Sequence, residues 1–430
     1  MLNKKKRVFF AGMVLTLALT ACGNVSQENS GTESGSQVQN GTEQNGSQVS
    51  GSEELTKESQ AETETQEPEP VITEITISAV GDVTLGTNQK ASYSGSFHEY
   101  YDKYGKDYFL QKVKHIFEED DFTIVNFEGT LTDSDNIRQP KEWNHKGRPE
   151  YVEILTDASV EAATLGNNHI MDYQQDGVND TFSTLENAGI AYAISGIWGD
   201  QYGMYETKGI QIGFVSVNEY YEGTSVYTYL EDGLKTLREQ GADIVIACTH
   251  WGGDKVHEIE QDQYDMGRWC IDQGYDLVLG CHPHVLQGIE CYKGKYIVYS
   301  MGNFCYGGSK NPADKDSMIF QQTFRFVDGV LEEDPSAIRA IPCRLSSSTS
   351  KNDYCPEILE GDEAESVIAN LNKYSEEFGI AFDAQGYLIS DTQGEEQTDT
   401  QSEVQTDTQG EELANTQDEE QTDTQSEVAP

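Results

Sequence analysis

Five apolar runs of this 430-residue chain each stop at a small or polar residue and are followed by side chains that bind metal ions. The clearest lies at 276–284, where the buried-strand pattern of Leu277–Leu279 gives way to Gly280 and then to His282 and His284. We expect Gly280 to let the backbone turn tightly, and the proline between the histidines to stiffen the loop. A histidine pair on such a turn suits two metal ions, or one metal ion and a phosphate.

The other four runs follow the same plan, in which a strand pattern ends in Gly, Asn or Thr. Because binding sites in α/β proteins lie beyond the carboxyl ends of strands, convergence of the five ends would bring their side chains together. The side chains that would then meet are Asp82, Glu128, Asn168, His250, His282 and His284. Such a mixture of oxygen and imidazole ligands suits Zn, Mn or Fe, and a carboxylate can bridge two ions.

Several of these residues also have a purely structural interpretation. Asp82 could cap the N-terminus of a helix, and Asn168 could occupy a left-handed turn position. Trp251, beside His250, could equally pack in the core or line a substrate site. Isolated histidines are typical of surface or packing positions, and we assign no role to His98, His115, His145 and His257.

Strand-like and helix-like stretches alternate between residues 71 and 388, which favours an α/β fold in one large domain. The strands predicted before residue 300 are 75–80, 122–126, 162–165, 212–217, 244–248, 277–279 and 296–299. The helices predicted there are 108–119, 177–188, 229–240 and 261–273. After Ser317 the pattern predicts antiparallel strands at 319–327 and 337–345 and a closing helix at 363–378.

Residues 1–22 have the features of a bacterial lipoprotein signal. A basic segment at 4–7 precedes an apolar segment at 8–18, which is too short to span a membrane stably. The next residues, Leu-Thr-Ala-Cys, match a lipobox in which the thiol of Cys22 is diacylated, and two acyl chains anchor a protein firmly. An ordinary secretory signal is the alternative. The first interpretation predicts a lipid-anchored protein on the extracytoplasmic face of the bacterial cell membrane.

Two segments that flank the predicted domain have too few apolar residues to form a core. Residues 23–70 consist mainly of Ser, Gly, Gln, Glu and Thr, and predict a disordered tether. Residues 389–430 predict an extended acidic tail, since thirteen acidic and no basic residues lie between Asp391 and Pro430. The folded domain is therefore predicted to span residues 71–388.

The charge of the chain limits its partners. A formal net charge of −47 at pH 7 argues against nucleic acid, because there is no basic patch to neutralise phosphates. A polyanionic substrate would not be attracted at long range either, so its binding would need bound cations or local basic residues. The basic residues best placed for this in the sequence are Arg138, Lys141, Lys146 and Arg148.

Seven cysteines follow Cys22, and an odd number cannot all pair within one chain. Several lie inside strand-like runs, which favours buried free thiols. Cys281 is next to His282, and Cys248 precedes His250 on the same strand face, so either could serve as a soft metal ligand instead.

Six motifs, in order, resemble those of the CapA family, which is named for bacterial poly-γ-glutamate capsule biosynthesis. They lie between residues 75 and 304 and read GDVTLG, VNFEGTLT, GNNHIMDY, THWGGD, GCHPH and YSMGNF. That family is similar to the calcineurin-like metallophosphoesterases. The resemblance therefore implies a sandwich of two mixed sheets flanked by helices, with two divalent metal ions, Mn, Zn or Fe, as cofactors.

The resemblance also implies how the ligands divide. Glu128 would bridge the two ions. The other ligands would be Asp82 and His284 on the first ion, and Asn168, His250 and His282 on the second. Two positions depart from the related patterns. Thr84 stands where phosphoesterases usually have a histidine, which weakens the first site, and Asp254 stands where relatives usually have a glutamate.

His169 has a different implied role, because the corresponding histidine of the phosphoesterases does not bind metal. It protonates the leaving group or steadies the transition state, and Asp172 could orient it. Three functions then fit the chain. It could be an anchored metal-dependent hydrolase of a phosphoester or of an isopeptide bond in an anionic polymer. It could be a non-catalytic accessory that docks to a membrane synthase during polymer synthesis or export, or a metallophosphatase unrelated to capsule.

Overall fold

The structure is a computed structural model, and it describes residues 69–196, 199–332 and 337–391. The predicted lipoprotein signal with Cys22, nearly all of the predicted tether and the acidic tail beyond Asp391 lie outside the described residues. Within the described part of the chain, no helix has both the length and the apolar character needed to cross a membrane.

Strands make up most of the regular structure, and helices connect them. In chain order the strands are β1 (Ile72–Thr84), β2 (Thr87–Asn88), β3 (Phe122–Phe127), β4 (Thr130–Leu131), β5 (His145–Gly147), β6 (Ala162–Thr164), β7 (Ala191–Ala193), β8 (Gly203–Thr207), β9 (Ile210–Asn218), β10 (Ile244–His250), β11 (Leu277–Cys281), β12 (Ile289–Tyr292), β13 (Lys295–Val298), β14 (Asn303–Tyr306), β15 (Asp316–Val327), β16 (Val330–Leu331), β17 (Ile338–Arg344), β18 (Glu357–Ile358), β19 (Ile380–Phe382) and β20 (Leu388–Asp391). The α-helices are α1 (Phe97–Tyr104), α2 (Lys114–Glu119), α3 (Glu153–Asp157), α4 (Gln174–Ala188), α5 (Glu219–Glu222), α6 (Val226–Glu239), α7 (Gln261–Gln273) and α8 (Gly361–Ser375). Short 3-10 helices occur at Lys106–Tyr108, Pro149–Val152, Gly223–Ser225 and Glu376–Phe378.

The first sheet has the strand order β18-β17-β15-β1-β3-β6-β7, with β14 paired to β1 and β16 paired to β15. Strands β1, β3, β6 and β7 are parallel, whereas β15 and β17 run antiparallel to their neighbours. The predicted change to antiparallel strands after Ser317 is therefore confirmed. The long strand β15 joins the two halves of this sheet, because one of its edges pairs with β1 and the other with β17.

The second sheet has the order β12-β13-β11-β10-β9-β8. Its four inner strands are parallel, and the two edge strands are antiparallel to their neighbours. Every residue of β10 is buried, as expected for a central parallel strand covered on both faces. Two small sheets, β2-β5-β4 and β19-β20, complete the fold.

The side chains of β1 show how the layers pack, since neighbouring residues belong to different cores. Ile75, Ile77 and Ala79 join a core that includes β9, β10 and β11 of the second sheet. Val80 and Val83 join the other core, which includes residues of α4. On the outside of the second sheet, α6 packs against β9 and β10, and α7 against β11 and β13. This arrangement confirms the predicted α/β sandwich of two sheets flanked by helices.

One predicted helix forms only in part. In place of a helix over 108–119, a 3-10 turn at Lys106–Tyr108 precedes α2, which begins at Lys114. Between them Phe109 is fully buried and its ring stacks on Phe97 at 4.3 Å between centroids, while Val113 is buried in the same core. The segment must turn these apolar side chains inwards together, and tertiary packing overrides the local helical period. The seven cysteines of the described residues are buried and free, which confirms that part of the prediction.

Candidate metal centre

The carboxyl ends of parallel strands from both sheets meet at one place, and the first cluster of ligand atoms there involves the end of β1. Asp82, fully buried, receives a hydrogen bond of 2.7 Å on Oδ1 from Asn126 Nδ2. Its other oxygen, Oδ2, lies 2.9 Å from His284 Nδ1. The second nitrogen of His284, Nε2, lies 3.7 Å from Oε1 of Glu128. We call Asp82, Glu128 and His284 the first ligand group.

The second ligand group consists of Glu128, His250 and His282, with Asn168 beside them. His250 Nε2 lies 3.0 Å from His282 Nδ1, 3.2 Å from Asn168 Oδ1 and 3.9 Å from Glu128 Oε1. The structure thus brings together all six ligand residues expected from the sequence, and Glu128 belongs to both groups.

The arrangement fits a metal ion in two respects. Metal–ligand bonds of about 2.1 Å place neighbouring ligand atoms about 3.0–3.4 Å apart, which matches the shorter separations around His250 Nε2. Glu128 is fully buried, yet no described residue donates a hydrogen bond to either of its carboxylate oxygens. Since a buried carboxylate without donors is costly, these buried Asp, Glu and His side chains could hold a metal ion.

The two groups carry their protons differently. Burial would lower the pKa of His284, but the carboxylates of Glu128 and Asp82 raise it to about 10. Burial raises the pKa of Glu128 well above the usual carboxyl range, and His284 partly offsets this effect. In the second group, burial lowers the pKa of His250 well below its usual value and that of His282 to about 4, so both imidazoles are neutral at pH 7.

The loop after β11 has a strained backbone that places its two histidines. His282 has φ of 102° and His284 φ of 58°, values that residues other than glycine rarely adopt. The predicted turn at Gly280 is wrong, because this residue lies within β11. A Cβ atom there would lie 2.1 Å from the carbonyl oxygen of Tyr299 and 2.5 Å from Trp251 Nε1. Gly280 is needed for close packing, and the histidines themselves make the turn.

The start of β14 holds the first ligand group in place. Asn303 Nδ2 donates to the main-chain oxygen of His284 at 3.0 Å, and Asn303 Oδ1 lies 3.0 Å from His284 Nδ1. The amide of Asp82 donates to the carbonyl of Gly302 at 2.9 Å. A Cβ at Gly81 would lie 1.9 Å from that same carbonyl oxygen, so only glycine permits this approach of β1 to β14.

His169 and Asp172 form a hydrogen-bonded pair at the edge of the centre. His169 Nδ1 lies 2.6 Å from Asp172 Oδ2, and His169 Nε2 lies 3.8 Å from Glu128 Oε1. One imidazole nitrogen is thus anchored on a buried carboxyl, while the other faces the ligand groups. Burial lowers the pKa of His169 well below its usual value, and burial also raises the pKa of Asp172.

Three residues that the sequence left open have clear positions. The Thr84 hydroxyl donates to the main-chain oxygen of Glu128 at 2.9 Å, so it braces the backbone of that residue. The side chain of Asp254 is 54% exposed and pairs with Lys255 at 3.2 Å. Trp251 is fully buried and its Nε1 donates to Tyr299, which makes it a packing residue.

Sequence reasoning overlooked three contributors to the centre. Asn126 orients Asp82, and its position at a strand end was the available signal. His145 is buried with its ring centroid 4.1 Å from that of His169, although it was assigned no role. Lys141, expected to be available to a polyanion, donates to Asp172 Oδ1 instead and is 18% exposed. For His145 and Lys141 there was no local signal, because their segment has no strand or helix period.

Comparison with known proteins places this chain among relatives. PGA biosynthesis protein CapA of Bacillus subtilis is 30% identical over 257 residues, which cover 54% of this chain and 63% of that protein. Capsule biosynthesis protein CapA of Bacillus anthracis is 26% identical over 272 residues, covering 58% and 64%. A Mycobacterium tuberculosis protein named "probable polyglutamine synthesis accessory protein" is 26% identical over 208 residues, covering 43% and 55%.

The matches to the two CapA proteins span just under two thirds of those proteins' lengths. The family model described as bacterial capsule synthesis protein PGA_cap matches residues 76–307, which is more than half of this chain and includes every residue of both ligand groups. The match also contains the six motifs on which the resemblance to CapA rests. The chain therefore belongs to the bacterial capsule synthesis protein PGA_cap family, together with the CapA proteins.

Proposed function

We propose that this chain acts in the synthesis or export of capsule or poly-γ-glutamate, and that its two ligand groups form a metal-dependent hydrolase site. One observation carries the second part: Glu128 is fully buried between the groups, and neither of its oxygens accepts a hydrogen bond from a described residue. The first part is supported by the names of the relatives, two of which refer to capsule or PGA biosynthesis.

Two divalent ions, Mn, Zn or Fe, are the proposed cofactors. The ligands for the first would be Asp82, Glu128 and His284, and those for the second Glu128, Asn168, His250 and His282. When bound, such ions supply Lewis-acid polarisation of a scissile group and a water that ionises near neutral pH. They would also offset the negative charge of the protein toward an anionic substrate, either a phosphoester or an isopeptide-linked polymer.

His169 is the proposed proton donor, supported by its anchoring on one side only. An anionic Asp172 accepts a hydrogen bond from Nδ1–H and so stabilises the imidazolium that forms when Nε2 is protonated. Nε2 takes a proton from the attacking water as that water adds to the scissile group, and the resulting imidazolium passes this proton to the leaving oxygen or nitrogen, which leaves a neutral imidazole still bonded to Asp172 through Nδ1–H. Because Nε2 is already directed toward Glu128 at 3.8 Å, no rotation of the ring is needed.

The hydrolase proposal is tested with the full-length chain, its metal content measured by elemental analysis, on a chromogenic phosphoester and on a γ-glutamyl oligomer. His169→Ala is expected to lower kcat about 100- to 10,000-fold, the range for loss of a general acid, while metal content stays at the wild-type value. His115→Ala, an exposed histidine on α2, is the matched control. Equal turnover by wild type and His169→Ala contradicts the role of His169, and a wild type free of metal contradicts the site.

A second function is favoured by Thr84 and by one relative. Thr84 supplies no imidazole to the first ligand group, and its hydroxyl is engaged with the Glu128 carbonyl. The Mycobacterium tuberculosis relative is named as a synthesis accessory protein. On this alternative the chain is a scaffold that docks to a membrane synthase. Normal polymer output from cells carrying His284→Ala would favour the scaffold, whereas loss of output would favour the hydrolase.

We further propose that the protein is a lipoprotein, anchored through Cys22 on the extracytoplasmic face of the membrane, as the lipobox sequence predicts. This proposal is tested by fractionating cells that express the wild type or Cys22→Ala. The wild type is expected in the membrane fraction and labelled by a fatty-acid analogue, and the variant is expected to lose the label. An unlabelled wild type would contradict lipidation.

A further inference from the structure

Lys141 reaches the metal centre from a segment that contains none of the six motifs. Its ammonium group donates to Asp172 Oδ1 and, at 2.7 Å, to the main-chain oxygen of Asn168, and it lies 3.2 Å from His169 Nδ1. Its side chain is 18% exposed, while that of Asp172 is fully buried. One ammonium thus contacts the pair formed by His169 and Asp172 and also the backbone beside an expected metal ligand.

The segment that carries Lys141 is itself held against this region. The amide of Arg138 donates to the main-chain oxygen of Asp172 at 2.9 Å. Asn144 Nδ2 donates to the main-chain oxygen of Lys141 at 3.0 Å, and the amide of His145 donates to Asp172 Oδ2 at 2.6 Å. Lys141 is therefore fixed at both ends, by its own backbone and by the groups around its ammonium.

The contacts of Asp172 determine which nitrogen of His169 carries a proton. Lys141 contacts Oδ1, while the His145 amide and His169 Nδ1 both contact Oδ2. A carboxylate paired with an ammonium and accepting a main-chain amide accepts further bonds, and Asp172 Oδ2 lies closer to His169 Nδ1, at 2.6 Å, than the Lys141 ammonium does, at 3.2 Å, so Nδ1 is assigned as the donor to Asp172. The other nitrogen, Nε2, lies 3.8 Å from Glu128 Oε1 and has no hydrogen bond to a described residue, so the contact of Nδ1 with Asp172 sets the tautomer.

We propose that Lys141 is a positioning residue, which holds Asp172 and the Asn168 carbonyl so that His169 keeps its Nδ1 proton on Asp172 and its Nε2 atom toward the metal centre. This inference rests on the proposed function of His169. It also replaces the expectation that Lys141 attracts a polyanionic substrate, since the ammonium is committed to a buried carboxylate and a carbonyl. A role in substrate attraction would change KM, whereas a positioning role changes kcat.

The kinetic test compares Lys141→Met with the wild type in the full-length chain, with Mn²⁺ and a chromogenic phosphoester. We expect kcat to fall about 10- to 100-fold, as for loss of a supporting residue, with KM within about twofold and metal content unchanged. Lys141→Arg should recover part of the loss, because a guanidinium also pairs with a carboxylate. Lys208→Met is the matched control, since Lys208 likewise donates to a carboxylate, Asp121, and to a main-chain oxygen, that of Glu74.

A spectroscopic test needs no turnover, so it separates failure of this inference from failure of the proposed function. The chain has eight histidines, and the ¹⁵N signals of His169 in the metal-free protein are identified by their loss in His169→Gln. We expect the Nδ1–H tautomer in the wild type and in Lys208→Met, and a mixture of tautomers in Lys141→Met.

If Lys141→Met does not fold, Lys141→Gln provides the same two readouts, since it keeps a donor but lacks the charge. A wild-type tautomer together with wild-type kcat in the variant that folds overturns the positioning role. A changed KM at constant kcat also overturns it, in favour of substrate attraction. If the metal-loaded wild type hydrolyses neither substrate but the tautomer changes as expected, the proposed hydrolase fails and the role of Lys141 stands.

Discussion

The two ligand groups share Glu128, but the protein prepares them for a cation in opposite ways. In the first group, His284 lies between two carboxylates that raise its pKa, so its imidazole holds a proton at pH 7. In the second, two neutral imidazoles and an amide oxygen converge within 3.0–3.2 Å, and burial keeps protons away from them. The imidazoles and the amide of the second group therefore offer free lone pairs at pH 7, whereas His284 of the first group would have to release a proton before an ion binds; any proton on Glu128 is common to both groups.

The largest expected effect is the loss of both ions together when the shared ligand is removed. Glu128→Ala takes away the one side chain common to the two groups, so we expect metal content near zero by elemental analysis. Glu118→Ala, a surface glutamate on α2, is the control that should keep wild-type content. Retention of one tightly bound ion in Glu128→Ala would show that one group binds its ion without the shared carboxylate.

The next effect concerns pH. Below a pKa of about 10 the metal-free His284 holds a proton that an ion must displace, so affinity at the first group should rise with pH, about tenfold per unit for each proton released. Glu128, whose pKa is raised by burial, adds the same pH dependence to both groups, but His282, with a pKa of about 4, is already neutral at pH 6, so the second group should release fewer protons and depend less on pH. Titration against a chelating dye at pH 6, 7 and 8 measures both affinities. If the two metal affinities changed equally with pH, the expected difference in protonation between the groups would be contradicted.

A smaller change is expected when only one group is damaged. His282→Ala should remove one ligand of the second group and leave the first intact, and His284→Ala should do the reverse. We expect each variant to retain about one ion per chain, with a stronger pH dependence of the remaining ion in His282→Ala than in His284→Ala, since Glu128 is present in both. Loss of both ions from either variant would mean that the two groups bind cooperatively.

The smallest expected effect is on stability. Thr84→Val removes the hydroxyl that donates to the Glu128 carbonyl, and loss of one buried hydrogen bond costs about 1–2 kcal/mol of unfolding free energy. Urea denaturation of the metal-free protein measures this difference. Metal content should not change. A variant that loses the first ion would reveal Thr84 as a ligand, and the first group would then resemble the second in its number of donors.

The six expected ligand residues lie close together because each is within four residues of the end of a strand that the sequence indicates, while their binding of metal stays a prediction. Glu128 comes one residue after β3 and His282 one residue after β11, so an apolar run followed by a polar side chain was a sufficient local signal. The parallel core strands were predictable for the same reason, since continuous apolar runs such as β10 are typical of sheets covered on both faces.

The contacts of Lys141 and His145, and the irregular segment at 108–119, could not be predicted because they depend on tertiary structure. Lys141 and His145 approach Asp172 from a segment whose strands, β4 and β5, have two and three residues and are too short to show a period. Their contacts at 27 to 31 residues' separation cannot be inferred from neighbours in sequence. The partial failure of the helix at 108–119 has a related cause, because the burial of Phe109 and Val113 satisfies the core better than the local period does.

The left-handed backbone at His282 and His284 has a consequence for how this family changes over time. Each of these conformations costs of order 1–3 kcal/mol for a residue with a Cβ, and glycine would adopt either with little strain. Selection for stability alone would therefore drive both positions toward glycine. A survey of family sequences that finds glycine at one position should also find the carboxylate at Glu128 replaced, since a lineage that has lost the proposed ion would need neither residue. Glycine at position 282 or 284 would thus mark family members in which the candidate metal centre has been lost.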